Sequence, residues 1–182
     1  MHKRYVSVWF RYFKTDWHTR RQPLLGKQAL VLFERKQGRM IITAANQWAE
    51  MQSVYPGMLL ADARAIAPGL QAFEENNTAF ADSLQKIAKW MIRFSPVIAV
   101  QPSDGLLVDC TGCCHLFGGE QKYLETIEQR FQSMGFTLRL AMAGTAGTAF
   151  ALARYGEHLS IVQNGDESAA LSWLPPKSLR IN

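Results

Sequence analysis

The order of the apolar segments along the chain limits its fold more than any other feature. Tyr5–Phe13 is rich in aromatic and β-branched residues, which is typical of a buried strand. After the cap cluster Asn76-Asn77-Thr78, apolar side chains recur every three or four residues from Phe80 to Phe94, which predicts a helix. Two short apolar runs around Pro102-Ser103-Asp104-Gly105 then predict a hairpin.

The second half of the chain continues this alternation of strands and helices. It predicts a helix from Gly118-Gly119 to Gly135, a strand at Thr137–Met142, a helix at Thr145–Tyr155 and a short strand at Leu159–Val162. With residues 20–75 set aside, the order is strand, helix, strand, strand, helix, strand, helix, strand. This order contains the βαββαβ unit of a ferredoxin-like sheet and predicts an α+β fold.

The segment set aside has its own pattern. A polar, basic loop through Pro23 precedes two apolar runs that flank Arg35-Lys36-Gln37-Gly38, which is typical of a hairpin. Two short helices are predicted at Gln47–Val54 and Leu60–Ala67, and each is followed by a Pro-Gly pair. We therefore expect a small inserted domain between the first strand and the first long helix.

Positive charge is concentrated at the start of the chain. The net charge is +5, but residues 1–40 hold ten Lys or Arg against two acids, a net of +8, and the other residues hold ten against thirteen, a net of −3. This asymmetry fits a polyanion contact made by one lobe, and it equally fits a solvated charged surface. Arg35, Lys36 and Arg39 at the hairpin are the best candidates for contacts with a DNA backbone, with a solvated turn as the alternative.

The cysteines favour a reduced protein without a metal. Cys110, Cys113 and Cys114 lie close together beside His115, but a structural zinc site needs a second ligand pair farther along the chain. No run approaches the roughly 20 apolar residues of a membrane span, and the N-terminus lacks the apolar core of an export signal. We expect a cytoplasmic protein with no membrane contact.

Three stretches of sequence resemble the Y-family translesion DNA polymerases. The segment from Ala45 to Glu50, continued by Pro56-Gly57-Met58, is similar without gaps to the family's fingers motif A-N-Y-E-A-R and its G-M sequel. Asp104–Asp109 with Thr111 resembles the family's S-I-D-E-x-x-x-D-x-T, and Ala143–Ala151 is a weaker match.

The resemblance implies a domain plan. The expected plan is a ferredoxin-like palm at residues 1–20 and 76–166, with a fingers insertion at residues 21–75. The segment Ala170–Pro175 resembles the entry to the thumb, so residues 167–182 are expected to begin a thumb that the sequence does not complete.

The departures from the family concern its catalytic acids. Polymerases hold two divalent cations about 3.5–4 Å apart with carboxylates. The resemblance implies one Asp on the first strand and an Asp-Glu pair at the hairpin. Here Val8 and Phe10 occupy the first-strand positions, and the hairpin retains Asp104 but has Gly105 in place of the Glu. We therefore expect no catalytic residues, no bound metal and no cofactor.

The residues that would hold a nucleotide triphosphate also differ. Gln47 and Glu50 stand where the family has a Tyr and an Arg, so a carboxylate would face the phosphates instead of a guanidinium. Thr145 to Phe150 contains no basic residue where the family has a phosphate-binding Lys. The sequence therefore predicts no nucleotide site.

One branch of the family shares these losses. Thr111–Glu120 is very similar to the T-G-x-x-H-L-F-G-G-E of ImuB-like proteins, and Trp90–Pro96 and Ala151–Gly156 also resemble that branch. The resemblance implies a non-catalytic adaptor in SOS-induced translesion synthesis and mutagenic DNA repair. Its implied partners are DNA, an error-prone C-family DNA polymerase, a RecA-like accessory protein and the sliding clamp.

Two alternatives remain open. An active nucleotidyltransferase would need relocated metal ligands, for which Asp104, Asp109 and Asp16 are the nearby candidates; Asp104 is otherwise explained as a turn residue. Val8, Gly105 and Glu50 argue against this alternative. A ferredoxin-like nucleic-acid-binding module with no repair role is the second alternative, and the ungapped fingers match argues against it.

Overall fold

The computed structural model describes residues 2–179, which form two compact units. The first unit contains residues 2–11, 81–133 and 138–179, and the second contains residues 12–80 and 134–137. The strands are β1 (Tyr5–Trp9), β2 (Leu30–Lys36), β3 (Arg39–Ala45), β4 (Gln71–Glu74), β5 (Val97–Gln101), β6 (Gly105–Asp109), β7 (Arg139–Ala143) and β8 (Ser160–Ile161). The α-helices are α1 (Phe13–Thr19), α2 (Gln47–Glu50), α3 (Leu60–Ile66), α4 (Asn77–Met91), α5 (Glu120–Ser133), α6 (Ala146–Tyr155) and α7 (Glu167–Ser172).

The sheet of the first unit has the strand order β5-β6-β1-β7-β8. Each neighbouring pair among β5, β6, β1 and β7 is antiparallel, and β8 adds to β7 in the parallel direction. The chain order β1-α4-β5-β6-α5-β7 combined with this spatial order is a ferredoxin-like βαββαβ unit. The predicted α+β fold is confirmed.

The two faces of this sheet are covered by different helices. Val6 and Val8 are fully buried on one face, where Phe10 meets Phe131 of α5 edge to face with ring centroids 5.0 Å apart. Because side chains alternate along a strand, Trp9 points to the opposite face. There it packs against α6 through a cluster of small buried residues. The buried members of that cluster are Ala141, Ala143, Ala149, Leu152 and Ala153.

The sheet of the second unit has the order β3-β2-β4, in which β2 and β3 form the predicted hairpin. Its two-residue turn holds Gln37 at φ 49° and Gly38 at φ 76°, the positive values that a type I′ turn requires. Strand β4 runs parallel to β2. The apolar side chains of this sheet and of the two short helices form a separate core, whose buried members are Ala29, Val31, Phe33, Ile42, Ala45, Ala49, Val54, Leu60, Ala63, Ala67 and Leu70.

Several segments differ from the sequence-based expectation: α2 is shorter than the predicted Gln47–Val54, and α7 was not predicted. The first strand ends at Trp9, and residues 13–19, which the sequence placed in a strand end and a polar loop, form α1. Phe13 stacks on Phe136, and Trp17 meets Phe80 edge to face. These tertiary contacts stabilise helix α1, which the local sequence did not indicate. Strand β4 was not predicted. Helix α1 lies in the second unit, and the predicted limits of palm, fingers and thumb stay predictions.

Asn46 connects α2 to the sheet of the second unit. Its buried side-chain oxygen accepts hydrogen bonds from the backbone nitrogens of Ala49 (2.9 Å) and Leu30 (3.0 Å). Its amide nitrogen donates to the Gln28 carbonyl at 2.8 Å. One side chain thus caps the helix and satisfies the start of β2.

Replacing Asn46 tests this role. We expect Asn46→Ala to lower the free energy of unfolding by about 2–4 kcal/mol, because a helix cap is lost and buried backbone groups lose their partners. Urea denaturation followed by circular dichroism measures the change. Asn46→Ser, which keeps an N-capping oxygen, should cost less, and equal effects of the two substitutions would contradict the account.

Candidate functional site

Asp104 lies in the turn between β5 and β6, and both of its carboxylate oxygens have donors. Oδ1 accepts a hydrogen bond from Nη2 of Arg154 at 2.6 Å. Oδ2 accepts from the indole Nε1 of Trp9 at 2.8 Å. The Asp104 carbonyl accepts from the backbone nitrogen of Phe10 at 2.8 Å, which fixes the turn beside the end of β1. The remaining acid of the expected catalytic set is therefore part of an ion pair.

Arg154 brings a cation to this site from α6. Its side chain is 12% exposed, and its guanidinium carbon lies 3.8 Å from the ring centroid of Phe150 and 5.4 Å from that of Trp9. Phe150 precedes Arg154 by one helical turn, so the ring and the cation share a face of the helix. A guanidinium held between aromatic rings and a carboxylate is a fixed positive charge.

Gly105 has no room for a side chain. A Cβ atom built there would lie 2.8 Å from the Val8 carbonyl oxygen and 3.1 Å from Oε1 of Gln101. The first contact is with backbone of a paired strand, so a larger residue would require the strands to shift. The position that the resemblance assigns to a catalytic Glu is thus closed by the approach of β1 to β6.

The side chain of Val8 does not lie beside Asp104. Its side chain is fully buried on the face covered by α5, together with Val6 and Phe10. The residue of β1 that reaches Asp104 is Trp9, one position farther along. A carboxylate at position 8 would point into an apolar core, so a metal ligand on this strand would have to stand at position 9 instead.

The relocated ligands considered above do not form a set either. Asp109 receives hydrogen bonds from Nζ of Lys3 (2.9 Å) and the backbone nitrogen of Thr111 (3.0 Å), at the opposite end of β6 from Asp104. Asp16 is buried in the second unit and accepts from the backbone nitrogen of Thr137 at 2.7 Å.

A two-metal centre does not fit these donors. Residues 2–179 contain no group of three or more His, Cys, Asp and Glu side chains that could hold a metal ion. The sulfur of Cys113 lies 3.8 Å from the Thr111 carbonyl, and that of Cys114 lies 3.9 Å from the Cys110 carbonyl, as in a turn of free thiols. Asp104 is paired with the Arg154 guanidinium, and residues 2–179 supply no cluster of further ligands to complete a metal site around it.

In the second unit, Gln47 and Glu50 lie on α2. Gln47 is exposed to solvent, and Oε2 of Glu50 accepts a hydrogen bond from the Tyr12 hydroxyl at 2.7 Å. The carboxylate at position 50 is therefore held in place by a phenol, where the family's motif has a guanidinium. A fixed negative charge at this position would repel a triphosphate.

Two of the three predicted DNA contacts have acidic partners. Arg35 pairs with Glu74 of β4 (3.4 Å), and Lys36 pairs with Glu34 (2.5 Å). Arg39 makes no ion pair within residues 2–179. The sequence could not indicate the first of these pairs, because β4 itself was not predicted. The positive charge of the hairpin is thus partly neutralised within the second unit.

A ferredoxin-like sheet followed after its first strand by a small inserted unit is the palm and fingers architecture of the Y-family DNA polymerases. The fold is similar to that in the insertion ternary complex of Dbh DNA polymerase, with a TM-score of 0.83 over 96% of this chain and 53% of that one, at 18% identity. DinB from Sulfolobus solfataricus is also similar, with a TM-score of 0.73 over 90% of this chain and 49% of that one, at 18% identity.

The chain belongs to the impB/mucB/samB family, whose model matches residues 8–153. Protein ImuB of Caulobacter vibrioides is 40% identical over 128 residues, which are 70% of this chain and 28% of that protein. DNA polymerase IV of Clostridium kluyveri is 25% identical over 115 residues, which are 63% of this chain and 29% of that protein. The matched region thus spans less than a third of these relatives' length.

The family, its ImuB-like branch and the palm and fingers fold agree with the sequence-based expectation. Trp9 and Arg154 were not singled out as site residues, although Arg154 lies within a stretch that the ImuB resemblance covered. The signal available was a basic residue one turn after an aromatic residue in an alanine-rich helix. Within residues 2–179 no helix is long and apolar enough to cross a bilayer.

Asp16 predicts a pH dependence of stability. Burial raises its pKa from 3.8 to about 6, against the opposing effects of the Thr137 hydrogen bonds and the charge of Arg20. The folded state therefore holds this proton more tightly than the unfolded chain. The free energy of unfolding therefore falls by on the order of 2–3 kcal/mol as the pH rises from about 4 to above about 6.

Asp16→Asn removes this titration. We expect wild type to lose stability relative to Asp16→Asn between about pH 4 and pH 7, and the difference to level off above that range. Urea denaturation at a series of pH values measures it. Asp62→Asn, at an exposed position of the same unit, is the control and should follow the wild-type profile. Parallel profiles for wild type and Asp16→Asn would contradict the prediction.

Proposed function

We propose that this chain is a non-catalytic Y-family homologue that acts as an adaptor in SOS-induced translesion synthesis and mutagenic DNA repair. The observation that carries the proposal is the ion pair of Asp104 with Arg154, at 2.6 Å. It places an immobile cation against the acid that a polymerase would use for a divalent metal.

The reasoning rests on what two-metal catalysis requires. Each metal ion needs several oxygen ligands and an open position for substrate oxygens. A guanidinium neutralises a carboxylate but offers no coordination position, and Nη2 of Arg154 is directed at Asp104. The absence of space at Gly105 and the inward direction of Val8 leave the metals without further acids from these positions.

The nucleotide contacts support the same proposal. Glu50 presents a carboxylate that the Tyr12 hydroxyl holds in place. A triphosphate carries about four negative charges, so this exchange of a guanidinium for a carboxylate converts attraction into repulsion. Two changes in separate units, one at the metal site and one at the triphosphate site, thus oppose the same reaction.

The similarity to Protein ImuB supports the adaptor role over a polymerase role. An adaptor of this kind brings an error-prone C-family polymerase and a RecA-like accessory protein to the sliding clamp and to damaged DNA in the cytoplasm. The similarity to DNA polymerases favours the alternative, an active enzyme with other ligands. Nucleotide binding separates the two.

Isothermal titration calorimetry with a deoxynucleoside triphosphate and Mg²⁺ tests the proposal. We expect no saturable heat from this chain, because metal ligands and phosphate contacts are both missing. The corresponding region of Clostridium kluyveri DNA polymerase IV is the positive control. Arg154→Ala should also fail to bind, since Trp9 and Gly105 still supply no carboxylate beside Asp104. Binding by wild type that matches the control would overturn the proposal.

A further inference from the structure

A groove on the second unit lies between the end of the β2–β3 hairpin and the start of α3. Its volume is about 300 Å³, at the lower end of the range for sites that bury a ligand. We call it the Arg39–Arg64 groove. The residues that line it are Gly38, Arg39, Met40, Leu59, Leu60, Ala61 and Arg64.

The floor and walls of the groove are aliphatic. Leu60 is 2% exposed and anchors the floor in the core of the second unit, whereas Met40 and Leu59 remain 40% and 37% exposed. Exposed apolar side chains that converge on one concave surface mark an interaction site more often than scattered ones do. Methionine adapts its shape readily, so Met40 suits a surface that receives another side chain.

The charged residues that line the groove are both arginines. Arg39 and Arg64 are exposed and make no ion pair within residues 2–179, and no acidic residue lines the groove. Arg35 and Lys36, on the same hairpin, are paired with Glu74 and Glu34. The two arginines are therefore available to carboxylates from outside the chain, and each can bind one in a bidentate manner.

We propose that the Arg39–Arg64 groove docks a protein partner through an acidic segment that inserts an aliphatic side chain between the two arginines. The aliphatic lining selects a protein over single-stranded nucleic acid, because bases are bound by stacking on aromatic rings and no ring lines the groove. Because the two arginines are positive, a negatively charged partner is favoured, and the attraction also speeds its association. The inference does not depend on whether the chain catalyses a reaction.

Selection from a phage-displayed library of random short peptides tests this proposal. The library is panned on the wild-type chain after depletion on the double variant Arg39→Ser/Arg64→Ser. Fluorescence polarisation then measures binding of the selected peptides as labelled synthetic peptides. A labelled single-stranded oligonucleotide of mixed sequence is measured in parallel.

The variants separate charge from apolar contact. Arg39→Ser/Arg64→Ser removes the charges, and Met40→Ser removes an apolar wall. The matched control, Arg35→Ser/Lys36→Ser, removes two cations from the same hairpin outside the groove. All the substituted side chains are exposed, so thermal melting should show that each variant remains folded.

We expect selected peptides to combine Asp or Glu with Leu, Ile, Val or Met. Their affinity should fall about tenfold or more in Arg39→Ser/Arg64→Ser, and less steeply in Met40→Ser. It should stay within about twofold in Arg35→Ser/Lys36→Ser, where only distant screened charges are lost. The proposal is overturned if no peptide is enriched, if both double variants weaken binding equally, or if the oligonucleotide alone binds and requires Arg39 and Arg64.

Discussion

The ion pair between Asp104 and Arg154 joins the β5–β6 hairpin to α6, and the chemistry of the first unit depends on it. The arginine is almost withdrawn from water at 12% exposure, and the carboxylate and the faces of Trp9 and Phe150 help to stabilise its charge. The small side chains between α6 and the sheet allow the helix to approach closely enough for this contact. The packing of α6 on the sheet and the ion pair of Arg154 with Asp104 therefore depend on the same small side chains.

The surroundings of Asp104 limit which side chains the neighbouring positions accept. The Val8 carbonyl closes the space beside Gly105, and the Val8 side chain points into the core on the other face. A carboxylate at position 8 would therefore lie unpaired in the apolar core, whereas position 9 is the one that faces Asp104. In the second unit, the carboxylate of Glu50 is fixed by the Tyr12 hydroxyl.

Local sequence signals predicted the parts of the fold that local interactions determine. The apolar periodicity of α4 and α5 and the tight turn at Gln37-Gly38 needed no knowledge of distant residues. Helix α1 and strand β4 depend on remote partners, such as Phe136 for Phe13, and were not predicted. The site divides in the same way. The resemblance assigned Val8 to the missing acid, whereas the structure places Trp9 beside Asp104 and Arg154, a meeting that requires α6 to pack on β1.

A titration with Mn²⁺, observed in the two-dimensional spectrum of the ¹⁵N-labelled chain, tests the central claim most directly. The indole N–H of Trp9 donates to Asp104 and reports on any paramagnetic ion bound there, and the indole N–H of Trp48, which donates to the Gly26 carbonyl, is an internal reference in the second unit. We predict that both signals lose intensity together, as non-specific contact with the ion produces. Selective broadening of the Trp9 signal at low Mn²⁺ would show a metal at Asp104 and contradict the account.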